Sequence, residues 1–135
     1  MSRHRFLIAN ADPMSRRRLR ALLARSGGLV REAASGWELM SLLATDGPFA
    51  LVIADVELAM PNGLQALAMA RTAGLDVPFV ITSPSDDPRI QTMARRLGAA
   101  LLLRPHPPDA LLEHVERLAP RRADSEPGDR AARRA

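Results

Sequence analysis

The chain contains no cysteine, no lysine and no tyrosine, and only 3% of it is aromatic, three phenylalanines and one tryptophan. Without cysteine there are no disulfides or thiolate metal sites, and nothing requires an oxidising compartment. Without tyrosine, the aromatic walls that a flavin ring needs are missing. Without lysine, all 19 basic residues are arginines, a skew that GC-rich coding produces. Every fixed cation is therefore a planar guanidinium that pairs bidentately with carboxylates. No apolar run reaches the roughly 18 to 20 residues of a membrane span, and Met1-Ser2-Arg3-His4-Arg5 leads into a run too short for a signal sequence. A soluble, cytoplasmic protein is expected, without a membrane segment.

The composition that remains is that of one domain. At 135 residues and 47% apolar content the chain can bury a single core. The net charge is +4. The arginines gather at Arg16-Arg17-Arg18 with Arg20, and between Arg121 and Arg134. They read as a solvated helix face and a flexible end, and nucleic acid is not expected as a partner.

Apolar runs of strand length alternate with amphipathic segments of helix length, in the order βα repeated five times. The strands are expected near Arg5–Ala9, Leu29–Ala33, Ala50–Ala54, Pro78–Thr82 and Ala100–Leu103. Such alternation implies a parallel sheet covered on both faces, an α/β architecture. Asp12-Pro13 supplies an N-cap and a proline at the first helical position, ahead of Leu19, Leu22 and Leu23. Ser35-Gly36-Trp37-Glu38 has capping-box spacing before Leu39, Leu42 and Leu43. Asp87-Pro88 repeats the cap logic, Gly98 is a stop signal, and Pro108-Asp109 opens the last helix. Past Pro120 the chain is too polar to bury a core. The domain is expected over residues 3–119, with 120–135 a disordered basic tail.

The most telling stretch is Phe49-Ala50-Leu51-Val52-Ile53-Ala54-Asp55, an apolar run of the kind a buried parallel strand shows, ending in one carboxylate. In open α/β sheets the working groups sit just beyond the carboxyl ends of such strands. Right-handed crossovers and short loops would gather Asn10, Asp12, Asp55, Thr82 and Arg104 at that edge. A carboxylate, a hydroxyl and a guanidinium together suit a phosphorylated aspartate, whose oxygens accept from a hydroxyl and a cation.

Over about residues 3–119 the chain resembles the receiver domain of two-component response regulators (the CheY-like superfamily). The resemblance rests on Asp12-Pro13 with Arg16 and Leu19, Asp55 followed at eight residues by Gly63, Pro78 leading to Ile81-Thr82, Gly98-Ala99, and Arg104-Pro105. It implies the flavodoxin-like, doubly wound (βα)5 fold with a five-stranded parallel sheet and a cis Arg104–Pro105 bond. It also implies that Asp55 is the phosphoacceptor, charged by a histidine kinase or phosphotransfer protein, with Thr82 and Arg104 at the phosphate and the switch. Any activity would be at most self-catalysed transfer to, and hydrolysis from, Asp55.

Departures from the family pattern are concentrated after the first strand. The two adjacent acids that hold magnesium in a receiver are here Asn10 and Ala11. Magnesium wants oxygen donors in octahedral geometry. Its site would retain Asp55, a backbone carbonyl near Glu57, and the Asn10 amide, so weak Mg2+ binding is expected. Asp12 is better placed as a helix cap than as a ligand, and Glu57 reads first as a solvated loop acid. The family's lysine is Arg104, which has three readings: it binds phosphate, it closes directly onto Asp55, or it is partly exposed and touches neither.

Elsewhere the resemblance is looser. The aromatic switch position corresponds to Leu101, and Pro61 comes two residues later than usual, so that loop is expected to take an unusual path. Trp37 reads as a packing residue, His106 as a partly exposed loop histidine, and His4 and His114 share no metal-ligand spacing. Two function classes remain. One is a phosphoryl-accepting receiver. The other is a receiver-like module that binds a partner without phosphorylation. With no output domain expected in 135 residues, either would act as a relay or through a downstream protein or a homodimer on the fourth and fifth helices, at Arg89, Arg96, Glu113, Glu116 and Arg117.

Overall fold

The computed structural model describes residues 4–119, and the tail expected at 120–135 lies outside the described residues. Five strands and five helices alternate without exception: β1 (Arg5–Ala9), α1 (Pro13–Ala24), β2 (Leu29–Ala33), α2 (Gly36–Thr45), β3 (Leu51–Asp55), α3 (Gly63–Thr72), β4 (Phe79–Ser83), α4 (Pro88–Arg96), β5 (Ala100–Leu103) and α5 (Pro108–Leu118). All strands pair in parallel in the order β2-β1-β3-β4-β5. This is the flavodoxin-like (βα)5 sheet. Among the described residues no helix is long and apolar enough to cross a membrane.

Alternation along the central strands divides the core into two layers, because successive side chains leave opposite faces of a sheet. Leu7, Val52, Ala54, Phe79 and Ile81 pack with Leu39 and Leu43 of α2 and with Ala66, Leu67 and Ala70 of α3. Phe6, Ile8, Leu51, Ile53, Val80 and Leu102 pack on the other face with Leu19 and Leu23 of α1 and Leu111 and Val115 of α5. β3 and β4 are fully buried along their lengths, which is why their sequences read as unbroken apolar runs.

Two strands sit one residue later than expected. β4 begins at Phe79 because Pro78 has no N–H to give the ladder and contributes only its carbonyl, which accepts from Val52 at 2.9 Å. β3 runs through Asp55 itself, paired with Thr82 in register. Asp55 is therefore fixed by the sheet rather than by a loop.

The caps follow their signals closely. Asp12 accepts from the backbone N–H groups of Met14 and Ser15, with Pro13 at the first helical position. Asp87 caps α4, which stops ahead of Gly98 at φ +72°, a left-handed conformation suited to glycine. The Ser35 box forms by half: Ser35 accepts from Glu38 N, but the Glu38 carboxylate reaches the N–H of Ala34 instead of Ser35. α3 carries a complete box, Asn62 with Gln65. Trp37 does not pack as expected. It stands 65% exposed at the start of α2, on the first turn, while Gly36, Leu39 and Leu43 supply that helix's buried face.

Candidate functional site

Strand parity selects the residues of the site. Asp55 follows Leu51 and Ile53, and Thr82 follows Val80, all on the side covered by α1 and α5. Asn10 and Arg104 continue the same parity one step past β1 and β5, after Ile8 and Leu102. The four are thereby brought to one end of one face. Asn10 N still donates to Ala33 O at 3.0 Å, and Arg104 N to Ser83 O at 2.7 Å. Both backbones are thus held by the sheet's last bonds.

Asp55 is 5% exposed and Thr82 2%. The Thr82 hydroxyl donates to Asp55 Oδ1 at 3.0 Å. Arg104 Nη2 donates to Asp55 Oδ2 at 3.1 Å and to Glu57 Oε1 at 2.7 Å. Of the three readings of Arg104, closure onto Asp55 is the one observed. Glu57 is a partner of that same guanidinium, where the sequence suggested a solvated acid. Its side chain is nevertheless largely exposed. Burial pushes the Asp55 carboxyl above its ordinary value of 3.8, with Glu57 adding to the rise, while Arg104 and the Thr82 hydroxyl pull the other way.

At the β1 end the chemistry is used locally. Asn10 is buried, and its Oδ1 accepts from Asp12 N at 2.9 Å. Arg16 Nη1 donates to the Asn10 carbonyl at 2.7 Å and its Nε to Glu32 at 3.2 Å. Ala11 is exposed and brings no donor. The carboxylate of Asp12 is committed to Met14 N, Ser15 N and the Ser15 hydroxyl. These bonds hold the Asp12 carboxyl below its ordinary range, the Ser15 hydroxyl first and the Met14 N–H next. Among the described residues no group of three or more His, Asp or Glu side chains is gathered as a metal site would require.

The loop from β3 to α3 takes an unusual path, as its displaced proline suggested. Leu58 is buried, its N–H bonded to the Asp55 carbonyl, and Ala59 O accepts from Gly36 N at 2.9 Å. Met60 is exposed with φ +30°, and the Met60–Pro61 bond is cis. The Arg104–Pro105 bond is also cis. Gly63 permits the loop to close: a Cβ there would collide with the Asp55 backbone carbonyl. The eight-residue spacing from Asp55 to Gly63 thus marks a close approach of α3 to the end of β3.

A cleft of about 710 Å³ opens between α1 and the β5–α5 loop, with Asn10, Thr82 and Arg104 at one end and Arg18, Leu22 and His106 among its walls. Leu101 is partly buried against the α2–α3 layer and offers no aromatic ring. The residues named for the α4–α5 face, Arg89, Arg96, Glu113, Glu116 and Arg117, are all exposed.

The family model of the response regulator receiver domain matches residues 6–116. A curated relative, Response regulator MprA of Mycobacterium ulcerans (strain Agy99), is 33% identical over 82 residues, 61% of this chain and 35% of its own length. The match therefore spans about a third of that relative. Among solved structures, the receiver domain of Francisella response regulator 1452 is similar with a TM-score of 0.80 at 21% identity, covering 85% of this chain and 95% of that one. Chemotaxis protein CheY4 of Vibrio cholerae is similar with a TM-score of 0.78 at 22% identity, covering 87% and 99%. These two likenesses show the fold.

Proposed function

Since the chain belongs to the response regulator receiver family, we propose that it accepts a phosphoryl group on Asp55 from a histidine kinase or phosphotransfer protein. Receivers are signalling modules and not enzymes in the ordinary sense. Here the module is the domain of residues 3–119. The observation that carries this reading is the arrangement of hydroxyl, carboxylate and guanidinium at the end of β3, with Thr82 and Arg104 each within 3.1 Å of a different oxygen of Asp55.

The step is an in-line displacement. A carboxylate oxygen of Asp55 attacks phosphorus as the P–N bond to the donor imidazole breaks. The electron pair goes to the imidazole nitrogen, which takes a proton from solvent, and an acyl phosphate remains. Charge spreads over the three equatorial oxygens in the transition state. Arg104 is already placed to neutralise it, and the Thr82 hydroxyl can transfer its hydrogen bond from carboxylate to phosphoryl oxygen. The attacking group must be ionised, so the raised Asp55 carboxyl sets the acid limit of the reaction above that of an exposed aspartate.

Receivers generally bind Mg2+ at an acidic pocket. The donor set here fits that ion poorly, since the carboxylates of Asp55 and Glu57 are both bonded to one guanidinium, the Asn10 amide oxygen accepts from Asp12 N, and Ala11 brings no donor. Metal binding through Asp55 and the Glu57 carbonyl is accordingly weak, and no step above depends on it. The output passes through the exposed α4–α5 face to a protein partner or a second copy.

Incubation with phosphoramidate or with a phosphorylated histidine-containing protein should leave phosphate that hydroxylamine releases, as an acyl phosphate demands. No hydroxylamine-labile phosphate from either donor would contradict the reading. The ion pair that occupies Asp55 Oδ2 favours a second reading, a receiver fold that binds its partner without phosphorylation. Partner binding of equal strength by wild type and Asp55→Asn, with or without donor, would support it.

A further inference from the structure

One nitrogen, Arg104 Nη2, stands between two carboxylates, 3.1 Å from Asp55 Oδ2 and 2.7 Å from Glu57 Oε1. A divalent ion bridging the same oxygens would need donors at about 2.0 to 2.1 Å for magnesium. It cannot enter without expelling the guanidinium. The Arg104 backbone is bonded to Ser83 at the end of the sheet, its Nη2 holds both carboxylates, and its Nε is buried without a hydrogen-bond partner among the described residues. On the far side of Asp55 nothing compensates, because Asn10 is bonded to the Asp12 N–H and the Asp12 carboxylate is spent on the α1 cap.

We propose that Arg104 is a tethered counter-ion that takes the place of the divalent metal, bridging Asp55 and Glu57 and excluding the ion from the pocket. Glu57 is the second anchor that makes the exclusion work, a role its position in an exposed loop does not suggest. With a single anchor, a guanidinium on a flexible stem would exchange readily with solvent. With two, it is held by charge from both sides. Before any ligand arrives the pocket already sets one cation against its two carboxylates, and its Mg2+ dependence should be shallow. This rests on Asp55 being the reactive centre of the pocket, but its test needs no phosphoryl donor, so either can fail alone.

The test is titration of the full chain with Mg2+ followed by amide NMR, with Mn2+ broadening as a second probe of location. In wild type, the resonances of Asn10, Asp55, Glu57 and Thr82 should show no saturable shift in the millimolar range. Arg104→Met keeps the stem and removes the charge, leaving two carboxylates facing one space. It should gain saturable binding, with affinity raised by about tenfold or more. Adding Glu57→Gln should abolish most of that gain. Arg104→Lys, which keeps a cation but on a shorter stem that reaches the two carboxylates less well, should fall between, and it decides the matter if Arg104→Met does not fold. Saturable binding in wild type as tight as in these variants would overturn the proposal. So would a failure of both variants, folded, to gain affinity.

Discussion

The two ends of the site treat similar side chains in opposite ways. Beyond β1, polar groups are spent on the local backbone: Asn10 accepts from Asp12 N, and Asp12 caps α1. At the carboxyl ends of β3, β4 and β5, the groups are spent on each other, in a chain from the Thr82 hydroxyl through Asp55 and Arg104 to Glu57. A carboxylate bonded to its own helix is satisfied within three residues and has little left for a ligand. Asp55 is satisfied only by residues 27 and 49 positions away, so its state is coupled to the geometry of the whole sheet. The difference is also electrostatic, since Asp12 is held below the ordinary carboxylate range and Asp55 is pushed above it.

The widest separation between the two ends should come from Asp55→Asn. It should abolish phosphoryl uptake completely, read as bound phosphate, while the far-UV spectrum is unchanged. Its stability follows from the sign of the shift. Because the folded state holds the Asp55 proton more tightly than the unfolded chain, the stability Asp55 adds is full below 3.8 and lost as pH rises through the folded value. The ionised side chain is thus a liability at neutral pH, and urea melts should show Asp55→Asn matching or exceeding wild type at pH 7. A clear loss there would mean that the Arg104 pair outweighs burial.

Next in size is Gly63→Ala. The added Cβ meets the Asp55 carbonyl, and the start of α3 must move away. Overpacking of this kind costs about 1 to 3 kcal/mol, measurable as a lower urea midpoint together with slower uptake. Wild-type stability would show that the β3–α3 approach is looser than described.

Rebuilding the β1 end addresses the comparison from the other side. Asn10→Asp with Ala11→Asp supplies two carboxylates that the α1 cap does not consume, and Mg2+ affinity should rise. The gain should be larger on an Arg104→Met background. Equal gains on both backgrounds would separate Arg104 from the metal position. The smallest effect belongs to Asp12→Ala: a modest fall in melting temperature with uptake unchanged. Because its carboxyl is held low by Ser15 and Met14, the stabilisation is present above 3.8 and fades as pH drops through the folded value, so mutant and wild-type melts should converge in acid.

Much of this was legible along the chain. The apolar run ending at Asp55 places a carboxylate at a strand end, and the parity of Ile8 to Asn10, Ile53 to Asp55 and Val80 to Thr82 already puts three groups on one side. Caps read well because their partners lie within a turn. What did not read was the partner of Arg104, which sits 47 residues from Glu57 and was open to three readings until the sheet fixed the distance. Glu38 went to Ala34 rather than Ser35 because both N–H groups are within reach of one flexible side chain. Trp37 was misjudged for a different reason: size suggested burial, but its turn of α2 lies outside the stripe of Leu39 and Leu43. The Asn62–Gln65 box was present in the sequence as a spacing and could have been found there.

The most direct test is the intact mass of wild type and Asp55→Asn after incubation with acetyl phosphate, under conditions that preserve acyl phosphates, with Mg2+ and again with EDTA. A phosphate-sized gain in wild type alone, only modestly reduced by EDTA, is the predicted result. No gain in wild type under either condition, or an equal gain in Asp55→Asn, would contradict Asp55 as the acceptor.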